Sequence, residues 1–415
     1  MIRLLLAFVA AGLVALAACS PALAAKSAAA PSLQAPAAVL VQPDTEDVVL
    51  RRSANERRPI ASTTKLMTAL VTLEQADLDD EVTAVRYNAL PAESLMGLQA
   101  GDRVTIRDLV RGLLLASGND AATTLAVRVG GSRRAFVRMM NRRAREIGLS
   151  NTHYANPVGL DDPGNYSSAM DLAKLALVLM RNPFFARTVD RQAATVEIDG
   201  HKRTIVNRNT LLREAKWVHG VKTGHTMQAG YVLVGAASNK GVRLVSAVLG
   251  DPSEAARDAD SLALLKWGLA RYRRTTALRK GQVLARPKLA FRDQRTRLVA
   301  ARRVRAVARK GEKLEVRVVG APAEISGSVP AGRRMGTIVV SRRGRELARV
   351  PLVTATAVTA ASFTDKVDSA LPVPWVLILV LALLAACSLL VVFRRRRQVR
   401  RRQTRARRRG DTETA

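Results

Sequence analysis

Apolar positions along this chain repeat at two periods. Between residues 63 and 75 they stand at Leu66, Met67, Leu70, Val71 and Leu73, the three-to-four spacing of a buried helix. Residues 106–115 are amphipathic and apolar-rich and predict a second helix, and the pattern resumes over 121–129 after a short polar break. Residues 231–236 and 242–249 read instead as strands, and the turn Asn239-Lys240-Gly241 between them predicts a hairpin. Beyond about residue 273 the apolar runs become short and β-branched, as at 314–319 and 337–340, with Gly and Pro turns between them. That pattern predicts a separate, small β domain.

The two ends are apolar for other reasons. Residues 1–24 carry Arg3, an apolar run over 4–18, and Ala22-Leu23-Ala24 ahead of Ala25, the layout of a signal peptide. Leu16-Ala17-Ala18-Cys19 offers a competing, lipobox-like site at which Cys19 would be lipidated. Residues 373–393 are uncharged and about as long as a bilayer-spanning helix. Arg394-Arg395-Arg396-Arg397 follows at once, and positive charge flanking a span stays cytoplasmic. The chain therefore reads as an exported body, one membrane span and a cytoplasmic Arg-rich tail over 394–415. Within the body, 25–38 is rich in Ala, Ser and Pro and reads as a linker. Residues 39–273 form the main domain, 274–352 the small β domain, and 353–372 an Ala- and Thr-rich tether.

Charge and cysteine content sharpen this picture. Of the formal net charge of +33, the tail contributes +9 through eleven arginines against Asp411 and Glu413, leaving +24 elsewhere. Residues 274–350 hold 21 Lys and Arg against 5 Asp and Glu. On this topology the excess lies outside the cell, where anionic wall polymers and lipid head groups are the partners and nucleic acid is not. A merely solvated basic face is the alternative. The two cysteines, Cys19 and Cys387, fall in the signal region and the span. The body thus has no disulfide framework or cysteine metal site, and must rest on an ordinary hydrophobic core, for which roughly 300 residues are ample.

Three polar strings carry the candidate chemistry: Ser62-Thr63-Thr64-Lys65, Ser117-Gly118-Asn119 and Lys222-Thr223-Gly224. Ser62 stands at the N-terminus of the first predicted helix, with Lys65 one turn on. Side chains three apart share a helix face with Cβ atoms about 5–6 Å apart, so the amine reaches the hydroxyl. Serine is a weak nucleophile until a base takes its proton. For lysine to be that base near neutral pH its pKa must fall, which burial and a nearby like charge such as Lys222 both promote. Free N–H groups at the helix N-terminus suit an oxyanion. In the second string Gly118 breaks the helix so that Ser117 and Asn119 project from a turn, although the same residues suit a plain helix–helix connection. In the third, a strand bearing Lys222 and Thr223 presents a cation and a hydroxyl to a terminal carboxylate, and Gly224 admits substrate close to the backbone. Rival chemistries lack their strings: there is no Gly-x-Ser-x-Gly elbow and no His-Glu-x-x-His. A zinc site or a histidine-served triad would have to be assembled from His153, His201, His219 and His225.

Each string alone is weak, but their surroundings are not. Pro59-Ile60-Ala61 and Leu66-Met67-Thr68-Ala69 bracket the first, and Leu113-Leu114-Leu115-Ala116 and Asp120-Ala121-Ala122 bracket the second. Asn156-Pro157-Val158-Gly159-Leu160, Tyr166-Ser167-Ser168-Ala169-Met170-Asp171 and Asn207-Arg208-Asn209-Thr210-Leu211-Leu212 follow in order. Over about 39–273 the chain resembles the D-alanyl-D-alanine carboxypeptidases, low-molecular-mass penicillin-binding proteins of the SxxK serine peptidase kind. The resemblance implies an α/β (α+β) fold of the DD-transpeptidase/β-lactamase-like class, an antiparallel sheet flanked by helices with Ser62 where sheet and helical subdomain meet.

The same resemblance implies Ser62 as nucleophile, Lys65 as general base, Ser117 as a proton relay with Lys65, and Asn119 as an anchor for the substrate amide. Lys222, Thr223, Gly224 and His225 become substrate-binding residues, with the His225 N–H joining that of Ser62 in an oxyanion hole. The other three histidines are then surface or structural groups. The implied partners are peptidoglycan stem peptides, with β-lactams as inhibitors, and no metal or organic cofactor is required. The expected reaction is removal of the terminal D-Ala. The same motifs would serve a DD-endopeptidase, and a non-catalytic wall-binding protein is the alternative outside the enzymes. A β-lactamase is disfavoured because residues 151–171 show no glutamate motif for deacylation.

Overall fold

The structure is a computed structural model that describes residues 29–370 and 373–410. Two units meet between Arg271 and Tyr272. The expected signal peptide (1–24), Cys19 and the last five residues of the tail lie outside the described residues.

The first unit is built on an antiparallel sheet of five strands: β1 (Ala37–Gln42), β2 (Asp47–Arg52), β3 (Val218–Thr226), β4 (Gly230–Asn239) and β5 (Val242–Asp251), in the order β2-β1-β5-β4-β3. The predicted hairpin is β4–β5. Asn239 pairs with Val242, and Lys240 and Gly241 between them both take positive φ (48° and 77°), the two-residue turn whose twist matches that of paired strands.

Successive side chains of these strands enter two different cores. Ala37, Val39 and Val41 of β1 and Val245, Ala247 and Leu249 of β5 face one; Ala38, Leu40, Leu244 and Val248 face the other. A sheet covered on both faces reads as near-continuous apolar runs. Each fully buried large aliphatic side chain contributes roughly 1.5–3 kcal/mol.

Four helices form a cluster on the first-named face: α1 (Lys65–Gln75), α2 (Ile106–Leu114), α3 (Asn119–Gly130) and α4 (Arg133–Glu146). They are joined there by α5 (Ala169–Leu179) and followed by α6 (Pro183–Val189); α7 (Glu254–Arg271) covers the opposite face. Local chemistry sets several of the starts. The hydroxyls of Thr105, Ser132 and Ser168 accept the N–H groups of Asp108, Ala135 and Asp171, caps worth about 1 kcal/mol each.

The segment read as a linker is folded from residue 33 onward. Leu33 and Ala35 are buried, and the N–H groups of Gln34 and Ala35 donate to Asp260 of α7 at 2.6 and 2.8 Å. Small alanines that look like spacer in the sequence fit flat against a helix that satisfies their backbone.

The second unit carries a five-stranded antiparallel sheet, ordered Val283–Ala285, Leu298–Ala300, Arg345–Thr354, Arg334–Arg342, Glu315–Val319, around a core that includes Leu298, Ile338, Val340, Val350 and Leu352. The expected tether is docked through much of its length. Residues 353 and 354 end a strand, Val358 is buried and exchanges backbone hydrogen bonds with Val329, and Asp365 pairs with Arg292 at 2.7 Å. Helix α8 (Phe363–Ala370) precedes α9 (Val373–Gly410), whose portion from Trp375 is long and apolar enough to cross a membrane. The arginine block continues this same helix rather than starting a separate tail.

Candidate active site

Ser62 and Lys65 meet as their spacing demands. Residues Ala61–Thr64 form a 3₁₀ turn that runs into α1, and Lys65 Nζ lies 2.9 Å from Ser62 Oγ. The second partner of the amine is the carbonyl of Val158, at 2.5 Å. Thr68 binds the same loop through the carbonyl of Pro157 at 2.7 Å, and Asn156 Oδ1 accepts the N–H of Gly159 at 2.7 Å. The Asn156–Leu160 string of the sequence is thus the strap that holds an acceptor over Lys65. Gly159 has φ +89°, and a Cβ there would stand 2.1 Å from the carbonyl oxygen of Ala61. Only glycine fits this crossing.

Lys65 has no exposed surface. Burial lowers its pKa to about 7, with Asp120 and Glu93 pulling upward and Arg208 pushing down. A neutral amine donates one N–H to Val158 and keeps a lone pair for the Ser62 hydroxyl, the arrangement of a general base.

The second string is built differently from expectation. Ser117 itself takes the left-handed conformation, with φ +62°, whereas Gly118 has φ −59°. Non-glycine residues in that region cluster at functional sites; Ala61, directly before Ser62, is another, with φ +46°. Ser117 Oγ accepts a hydrogen bond from Lys222 Nζ at 3.0 Å, and no hydrogen bond joins it to Lys65 among the described residues. Lys222 also donates to the carbonyl of Thr223 at 2.8 Å. Burial, and after it the charges of Lys65, Arg208 and Arg257, push the Lys222 amine well below its ordinary range.

Asn119 is buried, and its amide nitrogen donates to Glu93 Oε2 at 2.7 Å. The Tyr87 hydroxyl donates to the same oxygen. Burial alone would raise the Glu93 carboxyl; hydrogen bonds from Tyr87, Asn119 and the Leu90 N–H, together with the Lys65 charge, hold it below the usual range. Asp120 shapes the loop beside it, taking the N–H groups of Met96, Gly97 and Leu98 at 2.8, 2.8 and 2.9 Å.

In the third string Gly224 packs closely on the turn that carries Ser62. A Cβ there would lie 3.1 Å from Ile60 O and from Ser62 N, so the edge strand β3 can run tight against the nucleophile turn. Thr223 lies beside Lys222 on that strand, and the His225 ring stacks on Tyr231, 4.0 Å between centroids. Glu93, Tyr87, Asp120, Val158 and Arg208 all escaped sequence reasoning. Arg208, Val158 and Asp120 lie within strings quoted above, but nothing in residue type alone marks a carbonyl acceptor for the amine, a loop-binding carboxylate or a field-setting arginine.

The profile of the D-alanyl-D-alanine carboxypeptidase family (peptidase S11) matches residues 24–253 of this chain. The chain belongs to that family. The D-alanyl-D-alanine carboxypeptidase DacF of Bacillus subtilis is 31% identical over 331 residues, covering 77% of this chain and 84% of that protein. Among solved structures, penicillin-binding protein 5 of Haemophilus influenzae superposes with a TM-score of 0.58 at 29% identity, covering 80% of this chain and 99% of its own. The Streptomyces K15 DD-transpeptidase superposes with a TM-score of 0.56 at 33% identity, over 58% of this chain and 99% of its own. The fold is therefore that of the DD-transpeptidases and penicillin-binding proteins, as the motifs led one to expect, and the protein is a D-alanyl-D-alanine carboxypeptidase of the penicillin-binding group.

Proposed function

We propose that this carboxypeptidase cleaves the terminal D-Ala from peptidoglycan stem peptides through an acyl-enzyme on Ser62. Lys65, held neutral by burial, takes the Ser62 proton as Oγ attacks the penultimate D-Ala carbonyl. The N–H groups of Ser62 and His225 receive the oxyanion, and the proton passes to the departing D-Ala amine. Water then releases the acyl group. Lys222 and Thr223 bind the terminal carboxylate, whose charge restores the proton that burial removes from Lys222, while Ser117 links this amine to the reacting centre. Asn119, tethered by Glu93, offers its carbonyl to the substrate amide. β-Lactams acylate the same hydroxyl. Supporting this reading above all is the 2.9 Å contact between a fully buried lysine and Ser62.

Positive charge after the span supports a topology with the catalytic unit outside the cell and the basic second unit available to anionic wall or lipid. The test compares wild type with Ser62→Ala for labelling by a fluorescent penicillin and for free D-Ala released from a stem pentapeptide. Both signals vanish in the variant if the reading holds. Persistent D-Ala release from Ser62→Ala would overturn it.

A further inference from the structure

A second serine in the catalytic unit is served by a histidine. His219, near the start of β3, has Nδ1 2.9 Å from Asp190 Oδ1 and Nε2 2.8 Å from Ser238 Oγ. Asp190 directly follows α6, and Ser238 lies near the end of β4 with its N–H bound to the carbonyl of Trp217 at 2.9 Å. A carboxylate on one ring nitrogen holds the proton at Nδ1 and leaves the Nε2 lone pair facing the hydroxyl. That order of groups activates a serine. A simple clasp between α6, β3 and β4 would use the same bonds. Two further observations favour chemistry. All three residues line one cavity of about 690 Å³ that contains none of the motif residues, and His219 and Ser238 are only half-buried, so a ligand can reach them. Leu177 and Met180 give this cavity an apolar wall. Arg181 and Arg187 stand exposed on its lining, and neither has an ionic partner among the described residues.

We propose that Ser238, His219 and Asp190 form a second nucleophilic site, which hydrolyses carboxylic esters that carry an apolar acyl chain and an anionic group. The chain would lie against Leu177 and Met180, and the anion would face Arg181 and Arg187. Ser238 Oγ bonds to the acyl carbon as the ester C–O bond breaks, and the Oγ proton passes through His219 Nε2 to the leaving alkoxide. Water, deprotonated by the same nitrogen, then attacks the acyl-serine. The acid departs as the acyl–Oγ bond breaks, and the proton that His219 Nε2 took from water passes to Ser238 Oγ.

The test uses full-length Ser62→Ala protein in detergent, so the first nucleophile is absent. It is treated with an octyl fluorophosphonate and mapped by mass spectrometry, then assayed with the mono-p-nitrophenyl ester of 2-octylsuccinic acid, which keeps one free carboxylate beside an apolar acyl chain. The expected result is one phosphonyl adduct, on Ser238, and ester turnover that falls about 10²-fold or more when Ser238→Ala or His219→Gln is added. Fluorescent-penicillin labelling of Ser238→Ala protein with Ser62 intact should match wild type, which separates loss of this site from loss of the fold. Absence of an adduct on Ser238, or turnover unchanged by Ser238→Ala, overturns the proposal.

Discussion

Lys222 Nζ lies 3.0 Å from Ser117 Oγ, so the lysine of the third motif is bound to the serine of the second. Two buried amines thus each hold a serine hydroxyl, Lys65 on Ser62 and Lys222 on Ser117. Their mutual repulsion adds to burial in lowering Lys222, and a substrate carboxylate arriving at Lys222 would reverse that change.

Replacing Ser117 by Ala leaves Lys222 with only the Thr223 carbonyl as partner. We expect kcat/KM for D-Ala release to fall roughly 10²–10⁴-fold, the range for loss of a positioned proton-transfer group. Stability should fall by about 1–3 kcal/mol for the buried donor left short of an acceptor. Steady-state kinetics and thermal melts read the two effects separately.

Glu93 acts on the base from a distance. Its negative charge raises the Lys65 pKa, so Glu93→Gln should lower that pKa further and move the acidic limb of the kcat/KM profile to lower pH. A limb that stays in place, or moves up, would show that Glu93 does not act through its charge.

The crossing at Gly159 tolerates no side chain. In Gly159→Ala the new Cβ would fall 2.1 Å from Ala61 O, on a backbone with φ +89°. Either the nucleophile turn or the Val158 carbonyl must then move. We expect acylation by a β-lactam to slow by about 10²-fold, the scale for misplacing catalytic groups by an ångström. The cost in stability should be about 1–3 kcal/mol. A stopped-flow acylation assay measures the first and denaturant titration the second.

Asp251 supplies a stability signature unrelated to catalysis. Burial first, and the neighbouring Asp260 second, raise its carboxyl to about 7. The folded protein therefore holds a proton that the unfolded chain, titrating near 3.8, has released. The stabilising contribution is complete below the unfolded value and is lost as pH rises toward 7. Asp251→Asn should remove that part of the pH dependence between about 4 and 7, as seen in melting temperatures across this interval. An unchanged profile would place the folded carboxyl near its ordinary range.

The helices, the hairpin and the three polar strings were legible because period, turn chemistry and motif spacing are local. The 3.6-residue pattern after Ser62 and the Asn239-Lys240-Gly241 turn led directly to α1 and to β4–β5. What escaped depends on residues far apart in sequence. Val158 reaches Lys65 across 93 positions, and Asp260 fixes the N-terminal strap across 225 and 226. The backbone detail at Ser117 and Gly224 was hidden for a related reason. Composition shows that a glycine is present but not which backbone needs the room, and here Ser117 takes the unusual φ while Gly224 yields to Ser62. The contacts of His219 with Asp190 and Ser238 were hidden in the same way, across 29 and 19 positions.

Acylation by this route requires Lys65 to be uncharged near neutrality while touching Ser62. The most direct test is the pH dependence of the acylation rate by a fluorescent penicillin from pH 5 to 9, with the adduct mapped by mass spectrometry. The predicted result is a rate that rises about tenfold per unit at low pH and levels off near pH 7, with all label on Ser62. A rate independent of pH across that range, or label on any other side chain, would contradict it.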